Sequence, residues 1–272
     1  MLLVARTDAS HKPRVPVLFD MNLRAMRRDR AARVGTELFL AERVFSDCLE
    51  RIALLNRHFD RALLIGCPDP NWPERMRAVA SLIDCQDPGP SFAAAVGGAR
   101  ITEDEWESEP GVYNLVLALG TLDTVNELPL ALRLIRHVMQ PDALFIGAFA
   151  GGETLPQLRM AMRAADAVSG VAAPHVHPRI EAAALSPLLE NAGFVKPIVD
   201  VDRVQASYAS LDRLVVDLRA MGATNILRSR APSLSRTQRD AAGRTFADAG
   251  NGGRTTETFE IIHFAARTPQ NS

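Results

Sequence analysis

Cysteine is scarce in this sequence: Cys48, Cys67 and Cys85 are the only three among 272 residues. They are too few and too scattered for a disulfide framework or a CxxC metal site, so we predict reduced thiols in a cytoplasm. No uninterrupted apolar run approaches the roughly 20 residues that cross a bilayer, and the first residues lack the apolar core of a signal peptide. We therefore expect a soluble, cytoplasmic protein without a transmembrane segment.

Positive charge is not in excess either. The formal net charge is -1, with 31 Lys and Arg against 32 Asp and Glu. Because neutralising phosphates requires a surplus of Lys and Arg on at least one face, this balance argues against a dedicated nucleic-acid binder. Residues 24–33 nevertheless contain five arginines on a predicted helix. We expect a solvated surface there, with contact to an anionic partner or to a cofactor as the alternative.

Short apolar runs alternate with amphipathic stretches from residue 56 onward. Runs of four to eight apolar residues are typical of strands in a parallel sheet that is covered on both faces. The alternation of strand and helix predicts βαβ units and an α/β fold. The predicted strands lie at 62–66, 78–84, 113–119, 144–149, 194–206 and 259–266.

Apolar residues recur at helical spacing between these runs. Asn126 is predicted to cap the helix at 126–139, and Gly193 to end the helix at 181–192. Residues 242–258, rich in Gly and polar side chains, are predicted to form a loop, and residues 1–18 an extended arm. The predicted helices lie at 38–55, 126–139, 154–168, 181–192 and 211–218.

Glycine is scarce in the loop where an α/β nucleotide site needs it. Ligands of such sheets bind beyond the carboxyl ends of the strands, and the loop after the first strand normally contains several glycines. Here the loop keeps Gly66 but has Pro68 and Pro70, each of which fixes φ and removes an N–H donor. The loop is therefore stiffer and poorer in donors than a glycine-rich one. No G-x-G-x-x-G motif opens a helix, which argues against an NAD(P) oxidoreductase.

Segments spread over most of the chain resemble the class I S-adenosylmethionine-dependent methyltransferases. The similarity is greatest to the branch that contains the biotin-pathway carrier-protein methyltransferase and the mitochondrial complex I assembly factor of methyltransferase fold. The segments are LFDMNLRAMRRDRAA (18–32), FDRALLIGC (59–67), YNLVLALGTLDTVNELP (113–129), PDALFIGAFAGGETLPQLR (141–159), APHVHP (173–178), LLENAGF (188–194) and YASLDRLVVDLRAMGATN (208–225).

This resemblance implies a Rossmann-like methyltransferase fold. It has a seven-stranded, mostly parallel sheet, helices on both faces and an N-terminal helical cap. Residues 1–55 would form the arm and the cap, and residues 56–272 the Rossmann-like domain. A helical insertion at about 151–192 would follow the fifth strand as a lid.

The resemblance also implies a cofactor site. Members of this family hold S-adenosylmethionine with an acidic residue in the first strand, a Gly-rich loop and an acidic residue after the second strand. Leu64 stands at the first acidic position, and the resemblance would put cofactor contacts at Gly66, Cys67 and Leu119. Asp87 matches the ribose-binding carboxylate, with Asp84 as the alternative. The acidic position near the adenine resembles Glu103 or Asp104, of which we choose Asp104; Trp106 could offer a ring face.

Catalytic and substrate-side positions follow from the same resemblance. Asp123 stands at the rim beyond the fourth strand, where a general base would need a pKa raised by burial; a surface carboxylate is the alternative. His175 is the second catalytic candidate. Arg159, Tyr208 and Asn225 are assigned to the substrate side; for Tyr208 and Asn225, helix capping and core packing are the alternatives. No metal site is predicted, because no further Cys, His or Asp cluster completes one with His175 and His177.

Two functions therefore remain open from the sequence. The first is an S-adenosylmethionine-dependent methyltransferase that acts on a small-molecule, carrier-bound or protein substrate through a degenerate cofactor loop. A sulfonium cofactor is already electrophilic, so such an enzyme needs mainly to orient its substrate. The second is a non-methylating assembly factor or an arginine-hydroxylase-like relative, with respiratory complex I as a possible partner.

Overall fold

The computed structural model describes residues 16–230 and 232–270 of the chain. Apart from residues 16–18, the arm expected at 1–18 lies outside the described residues. The helices are α1 (Met21–Val34), α2 (Phe39–Ala53), α3 (Trp72–Met76), α4 (Pro90–Ala95), α5 (Leu128–Val138), α6 (Pro156–Ser169), α7 (Ala182–Asn191), α8 (Leu211–Ala220) and α9 (Arg236–Asp248). The strands are β1 (Phe59–Ile65), β2 (Ala80–Asp87), β3 (Ala99–Arg100), β4 (Tyr113–Leu119), β5 (Met139–Ala150), β6 (Val195–Tyr208) and β7 (Thr255–Arg267).

The seven strands form one sheet in the order β3-β2-β1-β4-β5-β7-β6. Strands β1 to β5 are parallel, whereas β7 is antiparallel to both β5 and β6. This arrangement confirms the predicted α/β class with a seven-stranded, mostly parallel sheet. The carboxyl ends of β1, β4 and β5 therefore meet at one edge, beside the first residues of β7.

Both faces of the sheet are covered, as the continuous apolar strands require. Leu63 and Ile65 contribute to the core beneath α5 and α7, whereas Leu64 turns to the opposite core beneath α2. In that second core the rings of Phe45 and Trp72 stack with their centroids 4.3 Å apart. Leu64 is completely buried there, which explains why an apolar side chain occupies this position.

Two predictions of local structure were wrong. Residues 242–248, expected in a loop, belong to α9, which begins with a capping box between Ser235 and Gln238. Only Ala242 and Phe246 are buried on this helix, so its apolar pattern is too sparse to be recognised in the sequence. Asn126 is not the N-cap of α5, which is preceded by Glu127; its side chain instead hydrogen-bonds the backbone of Phe19.

A third apolar cluster lies beyond the sheet, where α6, α8 and α9 pack together with the ends of β6 and β7. Helix α6 precedes β6, and α8 and α9 lie between β6 and β7. Chain segments on both sides of β6 thus build one helical layer beside the edge where the parallel strands end. Within the described part of the chain, no helix combines the length and apolar character needed to cross a bilayer.

Candidate functional site

A cavity of about 180 Å³ opens at the carboxyl edge of the parallel strands. This is the place where open parallel sheets bind ligands. Apolar side chains form most of its wall, and the charged residues that line it are Arg28, Glu37, Asp123, Arg179 and Glu260. Of the sequence-predicted site residues, Leu119 and Asp123 line this cavity directly.

Gly66 allows the ends of β1 and β4 to come very close. Its φ is +85°, and a Cβ built there would lie 2.2 Å from the carbonyl oxygen of Leu119 and 2.7 Å from Cγ2 of Thr121. No side chain fits in that space without moving backbone atoms. The turn is therefore specific for glycine even though Pro68 and Pro70 follow it, and Pro68 lies in the cavity wall.

Asp87 is completely buried at the end of β2 and accepts four hydrogen bonds. Its Oδ1 accepts from Nε of Arg28 and from the backbone N–H of Gly89, both at 2.7 Å. Its Oδ2 accepts from Nη2 of Arg28 at 2.5 Å and from the backbone N–H of Cys67 at 2.8 Å. The alternative, Asp84, pairs with Arg61 at the surface instead. Of the two candidates, Asp87 is the one beside the Gly66 turn.

Glu103 is the second buried carboxylate at this edge. Nη1 and Nη2 of Arg24 donate to its two oxygens at 2.7 and 2.9 Å, and Nη2 also donates to the carbonyl oxygen of Thr121 at 2.6 Å. Burial alone would lower the pKa of Arg24, but the charge and hydrogen bonds of Glu103, together with the charges of Asp123 and Asp87, outweigh it and the pKa is raised. Asp104, chosen from the sequence, is only partly buried and accepts a hydrogen bond from the backbone of Glu127. Glu103, and not Asp104, is thus the carboxylate that faces inward, and the assignment of Asp104 to the cofactor stays a prediction.

Helix α1 therefore closes this edge with two arginines, Arg24 and Arg28, one helical turn apart. Each makes a bidentate contact to a carboxylate with no exposed surface, Glu103 and Asp87 respectively. The expectation of a solvated arginine face was wrong for these two residues. Bidentate arginine–carboxylate pairs are among the stronger polar contacts in proteins, so α1 is held firmly over the strand ends.

The opposite wall of the cavity carries an ion pair between Asp123 and Arg179. Asp123 lies on the single helical turn Leu122–Thr124 that follows β4, and both side chains are almost completely buried. Glu260, on β7, is also buried and accepts from Nη2 of Arg203 at 3.2 Å. Asp123 is thus a buried, paired carboxylate and not the surface carboxylate that was the alternative. Arg179 directly follows the motif APHVHP and was not predicted from the sequence.

His177 lies nearer to this site than His175 does. It borders a smaller cavity of about 60 Å³ that is also lined by Arg24 and Arg28. Its Nε2 accepts a hydrogen bond of 2.9 Å from the backbone N–H of Ile226, which requires an unprotonated nitrogen at that position. Burial and the nearby charge of Arg179 lower the pKa of His177 to about 4. The imidazole is therefore neutral at pH 7.

The remaining predicted residues lie outside the main cavity. Nε2 of His175 is 2.7 Å from Oδ1 of Asp166 on α6. Nη2 of Arg159 donates to the carbonyl oxygen of His177, and Nδ2 of Asn225 donates to that of His175. Tyr208 is buried in the cluster of α6, α8 and α9, and this burial raises the pKa of its hydroxyl. Arg159 and Asn225 thus hold the 173–178 segment in place; their predicted role towards a substrate stays a prediction.

Comparison with known proteins agrees with this geometry. No family model matches the sequence. The structure resembles the N-methyltransferase NodS from Bradyrhizobium japonicum, solved with S-adenosyl-L-homocysteine, with a TM-score of 0.50 and 12% identity over 91% of this chain and 99% of that one. The fold is thus that of the class I S-adenosylmethionine-dependent methyltransferases.

The sequence comparisons narrow this class to one family. The chain is 30% identical over 284 residues to the arginine-hydroxylase NDUFAF5, mitochondrial, of Danio rerio, an alignment that covers 99% of this chain and 88% of that protein. It is 32% identical to the malonyl-[acyl-carrier protein] O-methyltransferase of Xylella fastidiosa over 152 residues, which is 54% of this chain and 49% of that protein. The chain belongs to the methyltransferase-fold family that includes NDUFAF5.

Proposed function

We propose that this protein acts on an arginine side chain of a protein subunit, with respiratory complex I as its partner. The observation that carries the proposal is the extent of similarity. Proteins named arginine-hydroxylase match almost the whole chain, whereas a carrier-protein methyltransferase matches about half of it. We propose the cytoplasm as the compartment, although the NDUFAF5 relatives are named mitochondrial.

The geometry of the cavity supports a side chain as the ligand. At about 180 Å³ the cavity is smaller than the roughly 300–1,000 Å³ of sites that enclose drug-sized ligands. Its apolar wall suits the aliphatic part of an arginine, and Glu37 offers a carboxylate to a guanidinium, whereas Asp123 and Glu260 already pair with Arg179 and Arg203. At the same edge of the sheet, Asp87 and Glu103 bind the guanidinium groups of Arg28 and Arg24.

An S-adenosyl ligand would compete with the arginines of α1 for the carboxylates at this edge. The Gly66 turn provides the close backbone approach that such a ligand needs. However, both oxygens of Asp87 and both oxygens of Glu103 are bound by arginines of α1. The ligand could reach these carboxylates only after α1 has moved, and we derive no methyl-transfer step from the closed arrangement.

Arginine hydroxylation must balance in atoms and electrons. One C–H bond of the arginine becomes C–OH with an oxygen atom from dioxygen. The second oxygen atom leaves as water, and a reductant supplies two electrons and two protons. In this scheme the residues of the chain bind and orient the guanidinium, and the nearly buried side chains that line the cavity exclude water from it.

Methyl transfer is the second candidate function, and the Gly66 turn beside Asp87 favours it. In that function α1 would be displaced before each turnover, and Asp87, Cys67 and Leu119 would hold the cofactor. The two functions predict different products, an added oxygen atom or an added methyl group.

The deciding experiment compares complex I from the native organism with complex I from a strain that lacks this protein. Tandem mass spectrometry of the arginine-containing peptides should find one arginine with an added oxygen, lost in the deletion strain. The native chain and the surface variant Arg61→Ala should both restore it, whereas Asp123→Asn should not. A methyl group that depends on the protein would favour the second candidate. An identical set of modified arginines in both strains would contradict a role in modifying the arginines of complex I, whether by hydroxylation or by methyl transfer.

A further inference from the structure

A group of three potential metal ligands lies between α2 and the outer strands of the sheet. Asp47 comes from α2, Asp202 from β6 and His263 from β7. One ligand atom of each residue lies within 4.8 Å of the ligand atoms of the other two. Since Asp200 is paired with His263 in the β6–β7 register, Asp202 is the diagonal neighbour of His263 on the same face.

His263 is the observation that points to a ligand. It is only 2% exposed, and neither Nδ1 nor Nε2 has a hydrogen-bond partner among the described residues. A buried polar group without a partner is costly, and in native proteins such a group commonly indicates an ion or a water molecule. His177, which is also buried, has a backbone N–H as its partner.

The charges around the group leave room for a cation. Arg43, Asp47 and Arg51 follow one another at intervals of four, so one stripe of α2 faces the two strands. Nε of Arg43 donates to Oδ2 of Asp202 at 2.9 Å, and Nη2 of Arg51 donates to Asp200 at 3.1 Å. The carboxylate of Asp47 lies between these two arginine contacts and next to the imidazole of His263.

We propose that Asp47, Asp202 and His263 bind one divalent transition-metal ion. Two carboxylates and a neutral imidazole form a mixed oxygen and nitrogen donor set, which suits zinc, manganese, iron(II) or cobalt(II) better than magnesium or calcium. Metal–ligand bonds of about 2.0–2.2 Å bring donor atoms to within twice that length of one another, slightly less than the 4.8 Å that bounds their separation here. Asp47 and Asp202 are only partly buried, so rotation of their side chains can close the site around His263.

The proposed site lies behind the wall of the 180 Å³ cavity at the carboxyl edge and does not form part of that cavity. Val44, one helical turn before Asp47, and Ile261, two residues before His263, both line the cavity. The inference therefore does not depend on the proposed function, and metal binding can be measured without an activity assay.

The experiment titrates cobalt(II) into the full chain after treatment with a chelator. Bound cobalt has visible ligand-field absorption, and competition with zinc gives the affinity for zinc. We expect one equivalent of metal to bind and the thermal midpoint of unfolding to rise. The variants Asp47→Asn and His263→Leu should each weaken binding by about tenfold or more.

Asp84→Asn is the matched control, because this carboxylate pairs with Arg61 at the surface of β2, four strands away from β7, and is not part of the proposed ligand set. It should bind cobalt with the affinity of the native chain. If His263→Leu does not fold, Asp47→Asn decides the question, since Asp47 is partly exposed on a helix surface. No binding by the native chain, or equal affinity in the native chain and Asp47→Asn, would overturn the proposal.

Discussion

Replacing Arg28 by alanine removes the side chain that covers and hydrogen-bonds the carboxylate of Asp87. Arg28 supplies two of the four donors to this carboxylate, and the backbone N–H groups of Cys67 and Gly89 supply the other two. After the substitution Asp87 keeps its backbone partners and becomes accessible from the cavity. Of the two buried ion pairs of α1, that of Arg24 and Glu103 then remains.

The size of the effect follows from the hydrogen bonds that the substitution removes. Breaking a fully buried ion pair costs about 3–5 kcal/mol when the remaining charge has no other partner. Here two N–H groups remain and the side chain of Arg28 is 12% exposed, so about 1.5–3 kcal/mol is the appropriate range for the closed state. At about 1.4 kcal/mol per factor of ten, a ligand that requires the open state should bind about tenfold to a hundredfold more tightly.

Isothermal titration with S-adenosylhomocysteine measures this change. The native chain should bind weakly, Arg28→Ala should bind more tightly, and the exposed Arg30→Ala on the same helix should match the native chain. Hydrogen exchange at α1 should increase in Arg28→Ala, because the helix loses one of its two buried ion pairs. If Arg28→Ala binds no more tightly than Arg30→Ala, the idea that α1 obstructs the adenosyl site is refuted.

Three further perturbations concern the packing of the site. Gly66→Ala should lower the free energy of unfolding, measured by urea denaturation, by about 3–5 kcal/mol, because its Cβ would meet the carbonyl oxygen of Leu119. Gly120→Ala should lower it by about 1 kcal/mol, because Gly120 has a φ of +61° but no atom within 4 Å of the added Cβ. Asp123→Asn should cost about 2–4 kcal/mol in the same assay, because it leaves the buried guanidinium of Arg179 without its charge partner. The pKa of His177 is lowered to about 4 in the folded chain, below the roughly 6.5 of an unfolded one. As the pH falls from about 6.5 towards 4, the unfolded chain is therefore protonated first, and urea denaturation should report a loss of stability in that window.

Each of these expectations has an outcome that contradicts it. Equal losses in Gly66→Ala and Gly120→Ala would mean that backbone conformation alone, and not the contact with β4, decides at Gly66. An Asp123→Asn variant as stable as the native chain would mean that the pair with Arg179 contributes little. An imidazole of His177 that titrates near pH 6.5 by NMR would contradict its burial as a neutral acceptor.

Local patterns predicted most of the framework. The strand at 113–119 has the same bounds in the structure, because all seven of its residues are buried and Asn114 is the one polar residue in its apolar run. Helix α9 was missed for the opposite reason, since a helix that buries two side chains carries almost no periodic signal. The sequence also indicated the turn at Gly66, whose glycine follows directly from the end of an apolar strand.

The choice between neighbouring carboxylates could not be made from the sequence. Asp87 and Asp84 lie on the same strand, and Glu103 and Asp104 are adjacent, so each pair has the same local pattern. Which member turns inward depends on partners far away in the chain: Arg28 is 59 residues from Asp87, and Arg24 is 79 residues from Glu103.

The sequence by itself thus determined the α/β class, the succession of strands and helices, and the edge at which ligands are expected. These features follow from hydrophobic periodicity and turn residues, which act over a few positions. The tertiary structure alone decided that the arginines of α1 close that edge, that His177 and not His175 faces it, and that Asp47, Asp202 and His263 meet. Such contacts join segments whose separation along the chain leaves no local trace, because packing of the whole sheet and its helices brings them together.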